Sequence, residues 1–165
     1  MSDAHERPAA TSHPAKAVLI AGLAAGVLDI TGACSFYALR GVSPVRILQS
    51  VASGLLGSAA FDGGAPTAIL GLFLHFCIAT CAAAVFYTAS RRLTFLVRRP
   101  ALSGASFGVG VYLFMSYVVL PLSAVAKRPF VVSTALSMVV IHIVCVGLPI
   151  AFAVRRYSRE AQAGV

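Results

Sequence analysis

With 165 residues, 59% of them hydrophobic and only 11% charged, the chain is too apolar for a soluble globular domain, whose usual mix is about half apolar and about a quarter charged. The mean hydropathy of +0.90 agrees. A formal net charge of +8 would point to nucleic acid in a soluble protein. Here the basic residues sit at the ends of apolar runs, where membrane topology and anionic headgroups account for them. The expected partner is therefore the lipid bilayer, with no nucleic acid.

In hydrocarbon every backbone polar group must be satisfied within the protein, which leaves helices or a closed barrel. The apolar runs are continuous and long enough for spanning helices of about 20 residues, whereas barrel strands would be about 10 residues and alternate. The expected fold is an all-α membrane protein, a bundle of four transmembrane helices plus one short amphipathic interfacial helix.

Residues 1–14 are polar and contain Pro8 and Pro14, so a disordered N-terminus is expected. Residues 15–156 form the membrane domain. Its first span covers about 17–39, and a cleaved signal fits poorly because the polar leader is long and Asp29 interrupts the apolar run. The segment 44–60 then leaves the apolar regime. Ser43 suits an N-cap and Pro44 the first helical position. Ile47, Leu48, Val51, Leu55 and Leu56 recur at helical spacing, with Arg46, Gln49, Ser50 and Ser53 off that face. This predicts a helix lying in the membrane interface, and a helix packed across the mouth of the bundle has the same pattern. Gly63 and Gly64 stop it.

The second span covers about 66–89 and ends in Arg91 and Arg92. The third covers 101–120 and is ended by Pro121. The fourth covers 130–154 and is followed by Arg155, Arg156 and a short polar tail, 157–165. Four spans place both termini and the 91–99 loop on one side, with Arg7, Lys16, Arg91, Arg92, Arg98, Arg99, Arg155, Arg156 and Arg159. The other side holds Arg40, Arg46, Lys127 and Arg128. The positive-inside rule puts both termini in the cytoplasm, in a bacterial inner membrane.

Four polar groups fall at one depth when residues are counted at about 1.5 Å each: Asp29, His75, Tyr112 and His142. Ser116 lies one turn from Tyr112. Asp29, His75 and Tyr112 share helical faces with small residues, among them Gly22, Gly26, Gly71, Gly104 and Gly108, which mark close helix packing in membranes. These side chains should turn into the bundle. A charge at mid-bilayer costs about 2.5–3.5 kcal/mol, so an unpaired Asp29 would take up a proton and an unpaired histidine would stay neutral. Pairing of Asp29 with His75 or His142 is the expected remedy. The cluster then serves as polar glue between helices, as a proton or ion pathway, or as a ligand set. Pro149 lies seven positions beyond His142 and predicts a kink.

His75 and His142 could serve as the axial ligands of a b-type haem, and this haem-binding electron carrier is the alternative reading. Zinc through His75, Cys77, His142 and Cys145 is allowed by ligand type, but no metal site is expected inside lipid-facing spans. Cys34, Cys77, Cys81 and Cys145 all lie in apolar runs and read as packing residues. No GxSxG, HExxH, Walker loop or paired carboxylate occurs, and no enzyme is expected.

There is also a hint of duplication. Gly22 and Gly26 open the first span as Gly104 and Gly108 open the third, and His75 and His142 sit at similar depth in the second and fourth. Two hairpins in parallel repeat would produce this.

Gly104 and Gly108, then Met115-Ser116, Pro121-Leu122, the intramembrane His142 and the terminal Arg155-Arg156 resemble bacterial inner-membrane proteins of the YagU-like kind. Gly22, Gly26 and His75 match more loosely. The resemblance implies an inner-membrane protein linked to acid tolerance and carries over no catalytic residue. The function read from the chain is a non-enzymatic membrane protein, scaffold-like or a small proton- or solute-linked transporter. Four spans leave little room for a substrate path, so a transporter would work as a homodimer.

Overall fold

The computed structural model describes residues 14–126, 129 and 131–163, the side chains of 158–163 excepted. The N-terminal disorder expected over 1–14 falls, but for Pro14, outside the described residues, as do Lys127 and Arg128. Among the described residues there is no strand. Four helices are long and apolar enough to cross a membrane: α1 (Pro14–Ala38), α3 (Gly64–Arg92), α5 (Pro100–Leu122) and the Val132–Tyr157 part of α6. Each contains most of the span read from the sequence. The helix α6 is built from Val132–Ile141, a π segment His142–Gly147 and Leu148–Ala163. Its last part runs through most of what was expected to be a polar tail. The described residues also hold two short helices, α2 (Pro44–Leu56) and α4 (Phe95–Arg98).

The helices pack in the order α3–α1–α6–α5, with α1 touching both α3 and α6, and α5 resting on α6. The apolar core lies at the terminus-bearing end. Ala21, Ala25, Ala83, Phe86, Val146, Ile150, Ala151 and Val154 are buried there, with Leu96, Phe107 and Val111 packed against them. Phe86 and Phe107 meet edge to face at 5.0 Å, where α3 reaches α5. Elsewhere the helices are apolar on all sides. Large side chains such as Leu19, Phe73, Phe114 and Val144 stay exposed, as a lipid solvent allows.

Glycines set the helix approaches. A Cβ at Gly22 would lie 2.7 Å from the Thr80 Cα, and one at Gly26 would lie 2.6 Å from the Phe76 ring, so these two bring α1 onto α3. A Cβ at Gly104 would meet the Gly147 carbonyl at 2.9 Å, and one at Gly108 the His142 carbonyl at 2.6 Å, bringing α5 onto α6. In each hairpin, then, the second glycine lies against the histidine-bearing turn and the first glycine about five residues further along the partner helix. That is the geometry a parallel repeat would leave.

The helix α2 differs from the expectation in its orientation. Ser43 caps it, its Oγ accepting from the Arg46 N–H at 3.3 Å, and Gly57 at φ 59° ends it. A 3₁₀ turn, Gly57–Phe61, follows. Gln49 and Ser53 are buried, whereas Leu55 and Leu56 are exposed. Ile47 and Ala52 are buried with them, so the face of α2 that carries Gln49 and Ser53 meets protein, and Leu55 and Leu56 face out. Gly71 explains this, because the Leu48 carbonyl occupies the place its Cβ would take. Gln49 closes the contact by donating from Nε2 to the Gly64 carbonyl at 3.0 Å. At the far end of α2 the Ala124 N–H donates to the Gly54 carbonyl at 2.9 Å. The segment is a helix packed across the end of the bundle opposite the termini.

Candidate functional site

The polar groups sit just beyond the apolar core, and the structure sorts them into separate contacts. His75 reaches from α3 to α1, with Nε2 2.9 Å from the Gly26 carbonyl. A carbonyl only accepts, so Nε2 carries the proton. The ring also packs edge to face on Phe76 at 5.7 Å. His142 turns its Nδ1 to the Met138 carbonyl, 2.8 Å away in its own helix, which makes Nδ1 the protonated nitrogen there. Its ring meets Tyr112 of α5 edge to face at 5.7 Å. Tyr112 and His142 are thus in ring contact across α5 and α6. Ser116 lies one turn further along α5, half-buried, in the π segment Met115–Val119.

Asp29 stands apart. Its Oδ1 is buried and has no hydrogen-bond partner among the described residues. The expected direct pairing of Asp29 with an imidazole is not made in this structure, for a geometric reason. His75 bonds the backbone of α1 one turn before Asp29, and His142 bonds its own helix. The face of α1 that carries Asp29 and Gly32 instead meets Cys145 and Ile141 of α6. The Cys145 Sγ and the Ile141 side chain lie 3.3 Å from where a Gly32 Cβ would stand. These neighbours offer the carboxyl no strong hydrogen-bond donor.

Two π segments flank the site, and sequence reasoning did not place them. The Leu120 N–H donates to the Met115 carbonyl and the Leu148 N–H to the Ile143 carbonyl, each five residues back. The cause lies one residue later. Pro121 and Pro149 have no N–H, and their rings crowd the carbonyls four residues back, Tyr117 and Cys145. A widened turn gives the ring room without breaking the helix. The two Leu-Pro pairs, Leu120-Pro121 and Leu148-Pro149, were the legible signal. In the third span the helix consequently runs through Pro121 to Leu122, beyond the end expected at residue 120. Such π turns are frequent at functional sites, and His142 opens the second of them.

The pair His75 and His142 does not fit the axial ligation of one haem. One ring is committed through Nε2 to α1. The other packs on the opposite side of the helix order, against α5. No group of three or more His, Cys, Asp or Glu side chains suited to a metal ion occurs among the described residues.

No family model, curated protein or solved structure matches the chain.

Proposed function

We propose that the chain is a small proton-linked transporter of a bacterial inner membrane, with Asp29 as the group that takes up and releases the proton. The observation that carries this reading is the buried, unpartnered Oδ1 of Asp29 at mid-span of α1. A charged carboxylate there costs about 2.5–3.5 kcal/mol, and no cationic side chain among the described residues pairs with it. Uptake of a proton removes that cost. Release needs a moment of hydration or a movement of α6 against α1, and the π segment His142–Gly147 with Pro149 is the element of α6 whose backbone bonding is already displaced. The histidines serve a different purpose. His75 is spent on holding α3 to α1, so the glue in this bundle is His75 and the proton carrier is Asp29. The excess of basic residues on the terminus-bearing side supports a cytoplasmic location for both termini, and two copies would supply the substrate path that four spans lack.

The test is proton flux in liposomes loaded with a pH-sensitive dye. Wild-type protein should collapse an imposed pH gradient. Asp29→Asn should keep its helicity and its elution volume, and lose the flux. Flux through Asp29→Asn equal to wild type overturns Asp29 as the carrier. Wild-type protein that moves no protons leaves the scaffold as the reading.

A further inference from the structure

The three arginine pairs of the chain, Arg91-Arg92, Arg98-Arg99 and Arg155-Arg156, belong to one end of the bundle. The first closes α3, the second joins α4 to α5, and the third lies on α6 one residue past the buried Val154. The short helix α4 draws them together. It touches α3, α5 and the C-terminal part of α6, and its Leu96 packs on the core that contains Val154. The turn is tied by side-chain hydrogen bonding. The Oγ of the buried Ser103 lies 2.7 and 2.8 Å from the carbonyls of Leu96 and Arg99, which share its one proton.

We infer that this end of the bundle is a binding site for a phosphate-bearing anionic phospholipid, held by Arg91, Arg92, Arg98, Arg99 and Arg155. Among the described side chains the acids are Asp29 and Asp62. Asp29 lies within a span and Asp62 lies at the other end, so these five guanidinium groups have no carboxylate partner among the described side chains. Guanidinium forks match phosphate oxygens two at a time, and adjacent pairs suit a lipid that carries two phosphodiesters. An amphipathic ligand is favoured over a soluble anion by what borders the arginines. Leu93 and Phe95 are 49% and 56% exposed in the same turn, where glycerol and acyl carbons would rest. The pinned backbone lowers the cost of ordering the site. This inference stands independently of Asp29.

Native mass spectrometry of the full chain, released from micelles doped with equal diphosphatidylglycerol and phosphatidylcholine, reads the site directly. The wild type should keep diphosphatidylglycerol about tenfold more often, a difference of about 1.4 kcal/mol between the two lipids. Arg98→Lys with Arg99→Lys keeps the charge but removes the fork, and should cut that preference several-fold. Arg91→Lys with Arg92→Lys, on the exposed last turn of α3, is the second variant should the first fail to fold. Either folded lysine variant retaining the lipid as wild type overturns the site in favour of diffuse charge attraction. Equal retention of the two lipids by wild type overturns it as well. Release of the lipid by millimolar pyrophosphate would assign the arginines to a soluble anion and likewise defeat the proposal.

Discussion

His75 donates from Nε2 to the carbonyl of Gly26 at 2.9 Å, across the contact of α3 with α1. The glycine makes the bond attainable, because a side chain at position 26 would collide with Phe76. His75→Phe keeps the ring and loses the donor. Membrane hydrogen bonds average about 0.6 kcal/mol and reach about 1.7 kcal/mol. The variant should fall in stability by an amount in that range when unfolded in mixed micelles. A change indistinguishable from zero would mean that the bond contributes nothing to holding α3.

Gly108 and Gly110 provide a matched pair on α5. A Cβ at Gly108 would lie 2.6 Å from the His142 carbonyl and the Ile143 Cα, whereas one at Gly110 meets nothing within 4 Å. Gly108→Ala must push α5 off α6, at a cost of about 1–3 kcal/mol. Gly110→Ala should stay within about 0.5 kcal/mol of wild type. Equal effects in the same unfolding assay would contradict the packing of α5 on α6.

The position of α2 can be trapped. An ideal Cβ at Gly54 would stand 3.9 Å from the Ser123 Cβ, inside the range of about 3.5–4.5 Å that a disulfide requires. With Cys34, Cys77, Cys81 and Cys145 replaced, Gly54→Cys together with Ser123→Cys should oxidise to an intramolecular disulfide, seen as faster migration on a non-reducing gel. A helix lying free on the membrane surface would leave both thiols reduced.

Topology follows from the charge bias at the span ends. Reporter fusions after Gln162 and within residues 92–100 should read cytoplasmic, and those near Asp62 and Lys127 periplasmic. A mixed pattern would break the arrangement of four spans.

The helical class, the four long apolar helices and the five packing glycines were legible in the chain because they depend on local quantities. Length, hydropathy and a missing side chain do not need to know which helix lies opposite. The capping of α2 by Ser43 was legible for the same reason. What faces α2 was not, since its hydrophobic stripe suits lipid and protein alike, and the gap at Gly71 under the Leu48 carbonyl decides which side turns in. Depth placed Asp29, His75, Tyr112 and His142 at one level. Azimuth, the direction each points around its helix, depends on how the helices are ordered in space. The order α3–α1–α6–α5 turns His75 to Gly26, joins Tyr112 to His142, and leaves the Asp29 Oδ1 without a hydrogen-bond partner among the described residues, on the face of α1 that meets Cys145 and Ile141. A residue count along single helices carries no information on that order, which is set by where glycines let two backbones approach.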